Sequence, residues 1–272
     1  MTERSPAAQL AAVRQNPRRS NRMLTLEEAL PQVRNSVCAL MRIFRAEEDI
    51  GQVESESQEL RLGVSFAGTA WCIVENSLVV SAFHVLNGGK ERNPEDRFHI
   101  FSVPDNGPFA YHFPVVSFPH EDGKSDLAIL ELGNPTQGDH VIPAVPITFK
   151  RPADGSHVLT IGFPSPEIAS ANVSPNGDYL GGQFFLKAHA NEGVVAAQYE
   201  FLESWFYEFN VGWHHGESGG PVISLDTTPA VFSIMQHYRN VHSPHGILPG
   251  PHRGISLEAM KVSLLEFGAK EV

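Results

Sequence analysis

The chain has 272 residues and a formal net charge of −11 at pH 7, with 42% hydrophobic and 19% charged residues. This composition is ordinary for a soluble globular protein, and its acidic balance argues against general nucleic-acid binding, because phosphate backbones require a basic face. No run of eighteen or more apolar residues predicts a membrane span, and no apolar run follows the basic N-terminal residues. We therefore expect a cytoplasmic protein with no nucleic-acid partner and no membrane partner.

The first predicted segment, residues 1–34, is a flexible basic arm that ends in a short helix. Its first 22 residues contain five arginines and one glutamate. Such an arm either docks on an acidic surface or stays solvated, and the solvated tail is the simpler interpretation. Thr25 and Glu28 form a capping-box pattern, which predicts the start of a helix, and Pro31 is expected to end it.

The rest of the chain is predicted to consist of many short strands separated by turns. The runs are rich in β-branched and apolar residues and are bounded by glycine, proline and asparagine, which favours a sandwich or a barrel. The strands predicted in the first unit, residues 35–150, are 37–44, 60–66, 69–75, 78–83, 97–103, 112–118 and 127–131. Those predicted in the second unit, residues 151–272, are 158–162, 183–188, 193–199, 205–211, 221–225, 231–237 and 253–256.

Two further features of the second unit lie outside these strands. Residues 164–178 are rich in proline, serine and asparagine and are predicted to form a long loop. Apolar residues with helical spacing predict a helix from Leu257 to Phe267, with Gly268 as its stop. Closed barrels suit the strand pattern because they leave no long edge unpaired.

The segment GESGGPV, residues 216–222, is the strongest chemical signal in the chain. Glycine at position 216 permits backbone angles that a side chain forbids, so the turn exposes the hydroxyl of Ser218. The N–H groups of Gly216 and Ser218 then point toward one place, where they are suited to stabilise an oxyanion. The alternative is an ordinary glycine-rich turn between two strands.

Two upstream residues supply what an activated serine requires, namely a base and a group that orients the base. His84 ends the apolar run VVSAFH, and Asp126 begins the apolar run SDLAIL. Alone, His84 is equally a satisfied histidine at a strand end, and Asp126 a solvated strand cap. In the order His, Asp, Ser, with separations of 42 and 92 residues, they form a consistent set.

These motifs together resemble those of chymotrypsin-like serine proteases. The resemblance is nearer to bacterial HtrA-like and glutamyl-endopeptidase-like stand-alone peptidase domains than to the secreted digestive enzymes. GESGGPV is similar to the serine motif, SDLAIL to the aspartate motif, and SAFHV to the histidine motif, with Phe83 in place of a usual small residue. GTAWCI at 68–73 and IGFP at 161–164 resemble further segments, so that the similarity spans roughly residues 30 to 267.

The resemblance implies an all-β fold of two six-stranded antiparallel β-barrels, with a short N-terminal arm and a C-terminal helix. It also implies a serine endopeptidase that needs no cofactor, with its site in the cleft between the barrels. Ser218 would be the nucleophile, His84 the base and Asp126 the group that orients it, and Gly216 and Ser218 would form the oxyanion hole. Two alternatives are a pseudoprotease that uses the cleft only to bind peptides and, less favoured, an esterase.

Several positions depart from the digestive enzymes. Those enzymes have an aspartate before the serine, which pairs with a newly cut N-terminus; Glu217 is found here, and no Ile-Val-Gly-Gly junction accompanies it. By alignment, Met235 and His237 are expected to face the primary specificity pocket, with His215 in the cleft wall. Gln236 replaces a small residue that often supports the aspartate. Glutamate-preferring members of the resembling family carry a pocket histidine where Met235 is placed. A shift of two residues would make His237 that group, since strand faces repeat every second residue, and the resemblance then implies a preference for acidic residues or glutamine at the cleavage position.

Metal and disulfide sites are not predicted. The thirteen histidines show no helix-face zinc spacing, so we interpret them as solvated or cleft-lining. Cys38 and Cys72 lie in apolar strand-like runs and are expected to be buried free thiols. The expected partner is a protein or peptide substrate. Restraint of the activity is expected from an activating partner or from homo-oligomerisation, acting at loops 87–96, 164–182 and 239–252.

Overall fold

The computed structural model describes residues 22–45, 62–87, 92–104, 109–212, 214–243 and 246–272, with the backbone alone at residue 87 and within 237–249. Its helices are α1 (Leu26–Val33), α2 (Phe83–Asn87) and α3 (Lys261–Glu266). The strands are β1 (Val37–Arg45), β2 (Leu62–Val74), β3 (Leu78–Ala82), β4 (Arg97–Ser102), β5 (Tyr111–Asp122), β6 (Leu127–Leu132), β7 (His157–Gly162), β8 (Glu167–Val173), β9 (Tyr179–Phe185), β10 (His189–Phe201), β11 (Ser204–Phe209), β12 (Pro221–Ser224), β13 (Ala230–Ser243) and β14 (Gly246–Ser256). The first 21 residues, which include most of the predicted basic arm, lie outside the described residues.

Twelve of the strands form two closed six-stranded barrels, which confirms the expected fold. The first has the order β1-β2-β3-β6-β5-β4, and the second has the order β10-β11-β14-β13-β12-β7. Every pairing within the barrels is antiparallel. Large buried side chains fill both barrels, among them Trp71, Phe98 and Phe113 in the first and Tyr207 and Phe232 in the second. Burial of these aromatic residues supplies the apolar area that stabilises the two units.

The predicted loop over 164–178 is wrong, because this region contains β8, which pairs with the following strand β9 as a separate two-stranded sheet. The turn between them is Ser174–Gly177, in which the Gly177 N–H donates to Ser174 O at 2.9 Å, and Gly177 has a φ of +87°, a conformation that glycine adopts without strain. Tyr179 and Phe184 of β9 make edge contacts with the ring of Phe101 in β4, with ring centroids 5.3 and 5.4 Å apart. The hairpin is therefore held by the first barrel, a contact that local polarity does not reveal.

Helix α1 begins as predicted but does not end at Pro31. The capping box is present: the Thr25 hydroxyl accepts from the Glu28 N–H at 3.3 Å, and the Glu28 carboxylate accepts from the Thr25 N–H at 2.9 Å. The helix continues through Pro31 to Val33, which packs with Ala29 in the core. A missing N–H removes one hydrogen bond, and this buried apolar face offsets that loss.

The predicted C-terminal helix is confirmed, although its first turn, Leu257–Met260, is a 3₁₀ helix and the α-helical part is short. Gly268 stops it with a φ of +88°, and its N–H donates to Leu265 O at 3.0 Å. The next amide, of Ala269, donates to Leu264 O at 3.0 Å, so the end is a Schellman motif.

Cys38 and Cys72 are buried free thiols, as expected. Burial raises the pKa of both thiols, which keeps them protonated and unreactive near neutral pH. None of the helices in the described ranges has both the length and the apolar character required to cross a membrane.

Candidate active site

His84 and Asp126 are brought together by the pairing of β3 with β6. Ala82 at the end of β3 lies opposite Leu127 at the start of β6, so the residues that flank this pair meet. His84 Nδ1 lies 2.8 Å from Asp126 Oδ2 and 3.1 Å from Oδ1. The Phe83 N–H also donates to Asp126 O at 3.0 Å. A carboxylate only accepts, so Nδ1 carries the proton and Nε2 of the neutral imidazole is the basic nitrogen.

The carboxylate of Asp126 is held by further donors. The backbone N–H of His84 donates to Oδ1 at 2.9 Å, and Gln236 Nε2 donates to Oδ2 at 2.9 Å. Asp126 itself has a φ of +54°, an uncommon value for a non-glycine residue that is found most often in turns and at functional sites. The second barrel thus contributes to the orientation of a first-barrel carboxylate.

Ser218 lies in a turn with two glycines in left-handed conformations, Gly216 at φ +97° and Gly219 at φ +84°. A Cβ added at Gly216 would lie 2.3 Å from Phe163 O, so the position requires glycine for both angle and space. The Ser218 hydroxyl donates to the carbonyl oxygen of Gln236 at 2.7 Å, and Ser218 O accepts from the Thr69 N–H at 2.9 Å. The turn is therefore attached to strands of both barrels.

The orientation of the His215–Gly216 peptide decides where the Gly216 N–H points. His215 O accepts from the Ser165 N–H at 2.9 Å. In a trans peptide the C=O and N–H point in opposite directions, so the Gly216 N–H is directed away from Ser165. Within the described part of the chain, the amides of Gly216 and Ser218 donate to no protein acceptor. Both remain available to a ligand oxygen.

The sequence profile of the trypsin-like peptidase domain matches residues 68–229, which include His84, Asp126 and the serine turn. The chain belongs to the trypsin-like peptidase family.

Two solved structures share the fold of this trypsin-like peptidase. The HtrA-type protease AlgW with a decapeptide is 16% identical, with a TM-score of 0.59, over 92% of this chain and 69% of that one. Deg5 is 17% identical, with a TM-score of 0.54, over 88% of this chain and 93% of that one. No curated protein matches the sequence.

Glu217 of this trypsin-like peptidase is fully buried, and its side chain packs under the serine turn, away from solvent. Its carboxylate accepts hydrogen bonds from the backbone N–H of His214 and from Asn191 Nδ2. Gly162 makes room for it, because a Cβ there would lie 2.8 Å from Glu217 Cβ. Burial raises the pKa of this carboxyl above its ordinary value, against the lowering effect of its hydrogen bonds. Glu217, the residue before the serine, is thus hydrogen-bonded within its own loop, to the N–H of His214.

The three residues expected in the specificity pocket differ in solvent exposure and in whether their side chains are described. His215 is exposed, whereas Met235 is fully buried with second-barrel residues such as Tyr207 and Phe232. The side chain of His237 lies outside the described residues. The specificity pocket therefore stays a prediction. No group of three or more candidate metal ligands is found within the described ranges.

Two residues that form hydrogen bonds to the site residues were not predicted from the sequence in this role. Thr69, fully buried, donates from Oγ1 to Gly216 O at 2.7 Å and accepts from the Phe163 N–H at 3.0 Å. It lies in the GTAWCI segment, whose resemblance was the available signal. Gln236 was noted only as a departure from the usual small residue, yet its side chain contacts Asp126 and its carbonyl contacts Ser218.

Proposed function

We propose that this chain is a serine endopeptidase in which Ser218, His84 and Asp126 act as a catalytic triad. The observation that carries the proposal is the short contact of His84 Nδ1 with Asp126, beside a serine turn whose amides are unengaged. The HtrA-type neighbour AlgW, whose structure contains a decapeptide, supports a peptide as the substrate. No step requires a cofactor.

The chemistry follows from the positions of these groups. Ser218 Oγ attacks the carbonyl carbon of the scissile peptide while its proton passes to His84 Nε2. Asp126 stabilises the imidazolium, and the N–H groups of Gly216 and Ser218 stabilise the oxyanion. Collapse of the tetrahedral intermediate expels the amine, which takes the proton from His84 and leaves an acyl-enzyme. Water, activated by the same histidine, then attacks the ester and releases the acid.

The resting hydroxyl of Ser218 donates to Gln236 O, so the first step requires the hydroxyl to rotate toward His84. A rotamer change of one side chain is fast and inexpensive, and a bound substrate that takes the Gln236 carbonyl would favour it. We infer separately that the activity is regulated by a partner, by loop ordering or by oligomerisation. The donation of the resting Ser218 hydroxyl to Gln236 O is the observation that favours the second candidate function, a latent pseudoprotease that binds peptides without cleaving them.

A fluorophosphonate probe tests the proposal directly, because it reacts only with an activated serine. We expect the native chain to be labelled at Ser218 and the Ser218→Ala and His84→Ala variants to remain unlabelled. Ser117→Ala, a surface control, should label like the native chain. Cleavage of peptides in a panel of peptides and esters would assign endopeptidase activity. A folded native chain that neither labels nor cleaves, but binds peptides, would establish the pseudoprotease instead.

A further inference from the structure

A cavity of about 310 Å³ lies beside the site. His84, Asp126 and Gln236 line it, whereas Ser218 does not. Phe206 and Arg253 of the second barrel and the exposed Lys124 also line it. The cavity is therefore continuous with the orienting half of the triad and is built from both barrels.

Arg253 is the distinctive group of this cavity. Its guanidinium carbon lies 3.7 Å from the centroid of the Phe206 ring, which fixes the orientation of the planar group. Its Nε is buried and has no hydrogen-bond partner. Glu208 lies opposite Arg253 in the β11–β14 register, yet among the described residues no carboxylate forms an ion pair with Arg253. A buried donor without an acceptor is costly, so the group is suited to a ligand that supplies one.

We propose that this cavity is a substrate subsite for an acidic side chain, aspartate or glutamate, with Arg253 as the residue that binds its carboxylate. This assignment rests on the proposed function, because the ligand is a segment of the peptide substrate near the scissile bond. A guanidinium that is fixed by stacking presents its N–H groups in a fork that matches a carboxylate. Lys124 adds a second positive charge, and its partner Glu203 is 3.7 Å away, with both side chains largely exposed.

The negative charge of Asp126 does not oppose this assignment. His84 and Gln236 already direct donors at that carboxylate, and these donors offset part of its charge. An incoming carboxylate is drawn instead to the unpaired guanidinium. The selectivity differs in origin from the acidic preference that His237 predicts, because it acts at a neighbouring residue of the substrate.

Binding to the Ser218→Ala protein tests the subsite without turnover. The probes are fluorescent dodecapeptides in which a single glutamate is moved along the sequence, each matched to a peptide with glutamine there. At one position we expect the glutamate peptide to bind about tenfold more tightly than its glutamine partner, the effect of one charge-assisted pair. Adding Arg253→Met, which keeps the stem over Phe206, should bring this ratio to about one.

Arg151→Met is the matched control, because Arg151 also stacks on an aromatic ring, Trp205, and does not line the cavity. It should leave the ratio unchanged. If Arg253→Met does not fold, Arg253→Lys keeps the charge, loses the fork, and should reduce the ratio only in part. A ratio near one at every position, no peptide binding, or a ratio that survives Arg253→Met overturns the subsite.

Failure of the subsite and failure of the proposed function give different results. If the native chain is labelled by the fluorophosphonate but shows no preference for glutamate peptides, the subsite proposal is wrong and the endopeptidase proposal stands. If the protein is neither labelled nor able to cleave peptides, but prefers glutamate peptides in a way that depends on Arg253, the subsite proposal stands and the endopeptidase proposal is wrong.

Discussion

The side-chain amide of Gln236, in the second barrel, donates to the carboxylate of Asp126, at the edge of the first barrel, across 2.9 Å. The backbone carbonyl of the same residue accepts from the hydroxyl of Ser218 at 2.7 Å. One residue of β13 therefore contacts both ends of the proposed triad. Any shift of one barrel against the other changes both contacts, so the geometry of the site depends on the relative position of the two barrels.

The first prediction concerns the hydrogen bond from the Gln236 side chain to the Asp126 carboxylate. Replacing Gln236 with alanine removes one donor to Asp126, and we expect kcat/KM to fall about tenfold. Gln236→Glu places a second carboxylate beside Asp126, which favours the protonated form of His84. The acid limb of the pH–rate profile should then move to higher pH by about one unit.

The matched control for this charge is Gln198→Glu, since Gln198 also donates to an aspartate, Asp154, at 3.2 Å but lies away from the site. Its pH–rate profile should match that of the native chain. Equal profiles for Gln236→Glu and the native chain would mean that Gln236 does not position Asp126.

The second prediction concerns Thr69, whose hydroxyl bridges the serine turn and the segment after β7. Thr69→Val keeps the shape but leaves the buried Phe163 N–H and Gly216 O without this partner. We expect the free energy of unfolding, measured in urea, to fall by about 2 kcal/mol. The rate of fluorophosphonate labelling should fall severalfold, because the turn that carries Gly216 is less firmly held.

Thr160→Val is the control for this substitution. Thr160 is as buried as Thr69, but within the described part of the chain its hydroxyl makes one long hydrogen bond, at 3.5 Å to Asn191 O. The loss of stability should stay below about 1 kcal/mol, with normal labelling. Comparable losses in both variants would show that Thr69 acts only as a buried polar residue.

The third prediction concerns the pH dependence of stability that Glu217 introduces. Burial raises the pKa of this carboxyl above 4.5, so the folded state resists its ionisation more than the unfolded state does. Its contribution is therefore most favourable below pH 4.5 and is lost as the pH rises through the raised value. Glutamine stays neutral throughout. Relative to the native chain, Glu217→Gln should gain thermal stability between pH 4.5 and pH 8.

The exposed Glu266 supplies the comparison for Glu217. Glu266→Gln should follow the native chain across the same pH range. A constant difference between Glu217→Gln and the native chain at all pH values would contradict a raised pKa in the folded state.

The sequence predicts those features of the fold and site that local patterns encode. The β-rich runs and the capping box at Thr25 are local, and so are the motifs around His84, Asp126 and Ser218. The hairpin β8–β9 was not predicted, apart from the overlap of β9 with the strand expected at 183–188, because its apolar side chains pack on the first barrel and the flanking residues are polar.

Contacts between the barrels are the other part that sequence patterns do not reveal. Gln236 and Arg253 lie far along the chain from Asp126, and only closure of the second barrel brings them to the same cavity. Nothing in the sequence around Arg253 indicates that, among the described residues, no carboxylate pairs with its guanidinium. The residues of the proposed triad were predictable because each carries its own motif, whereas the supporting residues are defined only by three-dimensional proximity.

The last prediction separates backbone strain from the loss of an oxyanion donor. Gly216→Ala forces a side chain onto a φ of +97° and against Phe163 O, so the peptide that presents the Gly216 N–H must turn. We expect fluorophosphonate labelling to slow by about 100-fold or more, the usual cost of one lost oxyanion donor. Gly155→Ala meets the same type of strain at a φ of +83°, with no atom within 4 Å of the new Cβ. It should cost about 1 kcal/mol of stability and leave labelling unchanged. If Gly216→Ala labels at the native rate, the amide at position 216 is not an oxyanion donor, and stabilisation must come from Ser218 alone.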